Sequence, residues 1–176
     1  MILSFKRHFT TKTPTNFIEK IWKGLNSLLD HDIDLKTKYV YAFREKFKYS
    51  WDGHWGDTKT SLSEWMSMHP NIHTIRAGAR WKPGHKIHFC VNPCTPDYFQ
   101  FAPVIPVKAT QAIVIKWTSD GEPCLYIDGQ LRAVGYDAPL WSRLAQNDGF
   151  PDTAAFFRWF HNDFSGQIIH WTDLIY

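Results

Sequence analysis

A chain of 176 residues with 44% hydrophobic side chains and nine Trp has the length of one domain and enough apolar mass for a packed core, which excludes a disordered or low-complexity protein. Twenty Lys/Arg against 17 Asp/Glu leave a net charge of +3, too small to name a partner. Three cysteines (Cys90, Cys94, Cys124) argue against a disulfide framework and for a reducing compartment, and no apolar run approaches the roughly 18 residues of a membrane span.

The charge is unevenly spread. Residues 1–118 carry 17 Lys/Arg against nine Asp/Glu, whereas residues 119–176 carry three against eight, so one face or end is expected to be basic. The opening residues Met1–Arg7 lack the apolar core of a signal peptide, and the expected location is cytoplasmic, with no membrane partner.

Ile2 to Phe5 suits a short strand, and Thr13-Pro14 suits a helix start with Pro at the first helical position. Phe17, Ile21, Leu25 and Leu28, with Ile18 and Trp22 alongside, recur every three or four residues and predict a core helix. From Asp30 to Met68 the periodicity weakens. Tyr39, Tyr41, Phe43, Phe47, Tyr49, Trp51 and Trp55 alternate there with Lys36, Lys38, Arg44, Lys46 and Lys48. That composition invites a nucleic-acid reading, but a small local aromatic core is the preferred one. Ser61-Leu62-Ser63-Glu64 fits a capping box and predicts a short helix before His69-Pro70.

Beyond Pro70 the period changes to two. Ile87, Phe89 and Val91 alternate with Lys86, His88 and Cys90, residues 111–117 form a β-branched run, and residues 125–131 carry an Asp-Gly hairpin signal. Helices over residues 139–146 and 153–161 and a closing strand over residues 166–171 complete an α+β order that suits a small barrel with flanking helices.

The richest stretch for function is His73-Thr74-Ile75-Arg76, followed by residues 80–89. Arg76, Arg80, Lys82 and Lys86 fall there without an acidic residue, and Trp81 lies among them. Such a cluster suits a polyanion with rings that stack, and the alternative is a strand edge guarded by charge. His88, Cys90 and Cys94, even with His85 and Cys124, lack the paired spacings of zinc sites, so no metal and no cofactor is expected. No glycine-rich phosphate loop, G-x-S-x-G or H-E-x-x-H motif is present, and neither Cys90 nor Cys94 shows a base that would make it a nucleophile.

The order Ile2-Leu3-Ser4-Phe5-Lys6, helix, His73-Thr74-Ile75-Arg76, Trp81-Lys82-x-Gly84-x-Lys86-Ile87, Asp148-Gly149-Phe150, a helix with Phe157-Arg158-Trp159-Phe160, and a final strand resembles the ASCH domain family, in particular its small bacterial and phage-type members. The match covers residues 1–24 and 70–176. The resemblance implies a PUA-like β-barrel spanning residues 1–176 as one domain, with residues 25–70 as an aromatic-rich insertion. Thr74 and Arg76 occupy the last two positions of the family signature G-x-K-x-x-T-x-R. Asn71 stands where the family has Lys, and Gly24 supplies the Gly if the first helix is aligned through it.

Some similar ASCH proteins are amidohydrolases that deacylate N4-acylated cytidine with a Lys, a Thr and a Glu. Thr74 matches that Thr, and Asp148 falls near the Glu position. An Asn cannot exchange a proton as Lys can, so the expectation leans to binding rather than catalysis. PUA-like barrels bind RNA or modified bases in a cleft. The expected ligand is therefore RNA, single-stranded nucleic acid, or a nucleoside or nucleotide, held by Asn71, Thr74, Arg76, Arg80, Trp81, Lys82 and Lys86, with Asp148 beside them. The alternative is an amidohydrolase or nuclease in which Thr74 and Asp148 are catalytic. A second alternative makes the insertion a protein-interaction or homodimer surface. For Arg76 the bland alternative is an internal salt bridge to Asp148.

Overall fold

A computed structural model describes residues 1–8, 14–26, 28–29, 32–50 and 61–176, the Leu62 side chain excepted. The chain forms two compact units, one of Met1–Pro70 with Lys86–Ile105 and the other of Asn71–His85 with Pro106–Tyr176. Among the described residues there are two sheets and five helices.

In the first unit, β1 (Ile2–Ser4) lies parallel to β3 (Lys86–Val91), with Ile2 opposite His88 and Ser4 opposite Cys90. A parallel pair needs a long crossover, and three helices fill it: α1 (Phe17–Leu25), α2 (Ile33–Phe47) and α3 (Leu62–Ser67). The two-residue strands β4 (Phe99–Gln100) and β5 (Ile105–Pro106) also pair with β3. Elements so short leave no period to detect in sequence. Helix α1 buries Ile18, Ile21, Trp22 and Leu25, as its stripe predicts, and the Trp22 indole donates to the Phe101 carbonyl at 2.7 Å. Its start differs from expectation: Pro14 makes an isolated antiparallel bridge with His8, and Asn16, at φ 53°, is the N-cap. Thr13 lies outside the described residues.

Helix α2 is a full 15 residues, capped by Asp32, whose carboxylate accepts from Leu35 N at 2.9 Å. Within it Val40 and Phe43 are buried. Phe43 meets the rings of Phe47, Tyr49 and Phe99 at 4.6, 5.2 and 5.7 Å. The local aromatic core is thus real for these residues, while Tyr41 is exposed and Trp51 and Trp55 lie outside the described residues. The predicted capping box starts α3: Ser61 Oγ accepts from Glu64 N at 3.2 Å, and Glu64 Oε2 accepts from Ser61 N at 2.7 Å.

The second unit is built on an antiparallel sheet with β2 (His73–Ala77), β6 (Ala109–Trp117), β7 (Pro123–Ile127), β8 (Gln130–Val134) and β9 (Phe164–His170) in the order β2-β9-β6-β7-β8. The Asp128-Gly129 hairpin joins β7 to β8 as the sequence predicts. Helices α4 (Pro139–Asn147) and α5 (Thr153–Trp159) follow. Ile75, Ile113, Ile115, Leu125, Trp141, Leu144, Phe156 and Ile168 supply the core. The closed barrel expected from sequence is not present among the described residues: β2 and β8 end the sheet. An unpaired edge leaves N–H groups that need acceptors. At β2 the end of α4 provides them, through Asn147 O to Ile72 N at 3.0 Å and Asp148 Oδ1 to Ile75 N at 3.2 Å.

Candidate functional site

Alternation along β2 puts His73 and Ile75 on one face and Thr74 and Arg76 on the other. The position of β2 depends on Gly166, which pairs with Ala77 in β9. A Cβ at Gly166 would lie 2.2 Å from the Arg76 carbonyl oxygen, so only a glycine lets the two backbones approach this closely.

Asp148 reaches the β2 edge because of the way α4 ends. Gly149 adopts φ 85°. Gly149 N donates to Gln146 O and Phe150 N to Ala145 O, each at 2.9 Å, which is the Schellman termination that a glycine past the C-cap favours. Asp148, the C-cap, is buried. Its carboxyl accepts from Ile75 N and from the Thr74 side chain and feels the Arg76 charge, yet desolvation outweighs these and raises its pKa from 3.8 to about 7. Burial likewise lowers the Arg76 pKa, with Asp148 opposing and Arg80 adding to the shift. Thr74, Arg76 and Asp148 thus form one electrostatic group. Asn71 is 0% exposed, and neither its amide oxygen nor its amide nitrogen has a partner among the described residues.

The opposite face of β2 starts a second polar group. His73 stands directly across from His170 in β9, with ring centroids 5.5 Å apart. The Tyr176 hydroxyl accepts from Asn147 Nδ2 at 2.8 Å and lies 2.7 Å from His73 Nε2. The hydroxyl thus bridges Asn147 and His73. Gln111 Nε2 donates to Asp128 Oδ2 at 2.9 Å and to Tyr176 O at 3.0 Å, and Gln111 Oε1 accepts from Tyr176 N at 2.8 Å. Burial holds both imidazoles neutral. It lowers His73 well below 6.5, with His170 repulsion adding to it, and lowers His170 to about 4 against a weaker pull from Asp128. Burial also raises Tyr176 to about 12. His73 Nδ1 and both ring nitrogens of His170 lack partners among the described residues.

The remaining residues singled out in the sequence divide clearly. Arg80 and Lys82 are exposed in the turn after β2, and Lys82 N donates to His85 Nδ1 at 3.3 Å. Lys86 is exposed and opens β3, in the first unit. Trp81 is 2% exposed. Its backbone N donates to Gln167 Oε1 at 3.0 Å, and its carbonyl accepts from Gln167 Nε2 at 3.1 Å, so the Trp81 backbone is tied to β9 while the ring expected to stack on a ligand is buried. No group of three or more His, Cys, Asp or Glu among the described residues could hold a metal, and all three cysteines are free thiols.

His170, Asn147, Gln111 and Tyr176 were missed from sequence. Each is an ordinary polar residue in its own segment: strand register brings His170 to His73, and Tyr176 joins His73 to Asn147 and Gln111. The one available signal was Gln111 opening a β-branched run, where a polar side chain on the buried face needs a partner.

No family model, curated protein or solved structure matches the chain, and no helix among the described residues is long and apolar enough to cross a membrane.

Proposed function

We propose that this chain binds RNA, single-stranded nucleic acid or a modified nucleoside through Asn71, Thr74, Arg76 and Asp148, as its resemblance to PUA-like ASCH domains implies. The observation that carries the reading is the part-exposed Arg76 beside the buried Thr74–Asp148 pair at the edge of β2, with the Asn71 amide in the same unit unpartnered among the described residues. An unmet amide inside a protein costs roughly 1–3 kcal/mol, and the hydrogen-bonding edge of an unstacked base carries the matching donor and acceptor. Arg76 supplies a fork for phosphate or a base edge, and exposed Arg80 and Lys82 add phosphate attraction. Stacking on Trp81 is not part of this reading, because the ring is buried.

The test is a titration of the full chain with nucleosides and short single-stranded RNA at low and at physiological salt. Asn71→Ala should weaken binding about tenfold, equivalent to about 1.4 kcal/mol, and Arg76→Lys should do so with a flatter loss because it keeps the charge but not the fork. No binding at low salt, or binding indifferent to both variants, rejects the reading.

One observation favours a hydrolase as the second reading: the Thr74 side chain hydrogen-bonds to a carboxyl whose pKa lies at about 7, a value suited to general acid and base work at neutral pH. His73 points to the other face of β2, so Asp148 is the group placed to take the Thr74 proton. Mass spectrometry of N4-acetylcytidine incubated with the chain decides it. Deacylation lost in Thr74→Ala and in Asp148→Asn supports a hydrolase, and an unchanged substrate rejects it.

A further inference from the structure

The first unit holds a formed cavity that the nucleic-acid reading does not use. Past β1 the chain runs through Phe5, Lys6, Arg7 and His8, and it is pinned to the approach of α1. Thr15 N donates to Arg7 O at 3.0 Å, His8 bridges Pro14, and the buried Thr15 Oγ1 donates to Lys6 O at 2.6 Å. Between these strips lies a part-open cavity of about 70 Å³, lined among others by Phe5, Arg7, Asn16, Phe17, Glu19 and Tyr49. A second, more open cavity of about 490 Å³ shares the wall Phe5–His8 and adds Ser4, Asn92 and Pro93, with no acidic side chain among its described lining.

Arg7 is held in place. Its Nη2 donates to the Tyr49 hydroxyl at 2.7 Å, and its guanidinium lies 4.7 Å from the Phe47 ring centroid and 5.5 Å from that of Tyr49. A guanidinium fixed by stacking keeps further donors in a fork that matches oxyanions. We propose that this cavity is a binding site for the phosphoryl group of a phosphate monoester, with Arg7 as the anchoring cation, Lys6 as a supporting charge, and the organic remainder left outside the cavity.

Size and charge select this class. A volume of about 70 Å³ is several times the roughly 10–15 Å³ that admits one water and about half the roughly 150 Å³ of a cavity that takes a benzene ring, a size that suits a tetrahedral oxyanion better than a nucleobase. Lys6 and Arg7 outnumber Glu19, the single acid of the described lining. Glu19 makes the site proton-linked. Desolvation raises its pKa to about 7, while its own backbone N–H, Lys20 and Arg7 oppose the rise. The other ionisable groups are Tyr49, whose pKa is raised by burial, and Lys20, whose pKa is lowered by burial. Below neutrality Glu19 is protonated and offers a donor to the oxyanion. Above it the carboxylate repels the ligand.

The phosphoryl group has two sources, the terminal phosphate of a nucleic-acid strand and a free small phosphorylated molecule, and calorimetry on the full chain separates them. The probes are inorganic phosphate, phenyl phosphate, and a short RNA with and without a 5′-phosphate, each at pH 6 and pH 8. The expected result is saturable binding of inorganic and phenyl phosphate, up to about tenfold tighter at pH 6, with proton uptake on binding at pH 8. Arg7→Ala should weaken it at least tenfold, and Glu19→Gln should leave only the pH dependence of the phosphate's own second ionisation and strengthen binding at pH 8. Tighter binding of the 5′-phosphorylated RNA than of its 5′-hydroxyl form assigns the site to strand ends, and equal binding of the two RNAs assigns it to small phosphorylated molecules. Asn71→Ala leaves the phosphate affinity unchanged, which distinguishes this site from the one around Asp148. Absence of phosphate binding at both pH values, or binding that neither Arg7→Ala nor Glu19→Gln alters in folded protein, overturns the proposal.

Discussion

The two units bury polar groups in different ways. In the second unit, Gln111, Asn147, Tyr176 and His73 close on one another through short hydrogen bonds, and Asp148 is tied to the edge of β2. In the first unit, Arg7 and Glu19 line open space among aromatic rings. A closed network pairs its polar groups with one another, whereas the stacked Arg7 guanidinium stands beside open space.

The largest way to break this comparison is Gly166→Ala. The added methyl would meet the Arg76 backbone at 2.2 Å, and backbone cannot swing aside as a side chain can. β2 must separate from β9, with a loss of about 4 kcal/mol or more in urea denaturation and loss of any ligand binding that depends on Arg76. An alanine tolerated within about 0.5 kcal/mol would show that the β2–β9 contact is looser than described.

Asp148→Asn sharpens the contrast with the opposite sign. The folded-state pKa of about 7 lies above the 3.8 of an unperturbed carboxyl, so the folded protein holds a proton that the unfolded chain releases. The stability this adds is fully present below pH 3.8 and is lost as pH rises through 7. An Asn keeps the acceptor for Ile75 N and carries no charge. The variant should therefore gain on the parent by a few kcal/mol between pH 4 and pH 7, read from denaturation midpoints across that range. A constant difference would place the carboxyl in water.

The imidazole pair runs the other way. His170 falls from 6.5 to about 4, so the unfolded chain takes up the proton first. Its stability contribution is full above pH 6.5 and is lost as pH falls toward 4. His170→Phe should flatten that acid limb by about 2–3 kcal/mol while leaving the alkaline limb alone, and unchanged limbs would mean that the ring is solvated. The smallest effect belongs to the first unit: Ser61→Ala removes the α3 capping box and should cost about 1 kcal/mol without altering either pH limb of the second.

Much of the local structure was legible before folding. The stripe of α1 appears at helical spacing, Ser61 and Glu64 mark the start of α3, and Asp128-Gly129 marks the β7–β8 turn, because each signal lies within a few residues and depends on backbone propensity or a local hydrogen bond. At the candidate site, Thr74, Arg76 and Asp148 were named from sequence and do form one group. Their partners were not named, and Trp81 was assigned a ligand to stack on where its ring is buried.

Residue order alone determined the α+β alternation, the turn chemistry and the run of cations from Arg76 to Lys86, all of which rest on short-range periodicity and charge. Only the tertiary structure decided that His73 faces His170, that the end of α4 satisfies the β2 edge, that the Asn71 amide is buried without a partner among the described residues, and that Arg7 stacks beside a cavity. Those outcomes depend on strand register and desolvation, which are set by residues tens of positions apart and have no signature in any one segment.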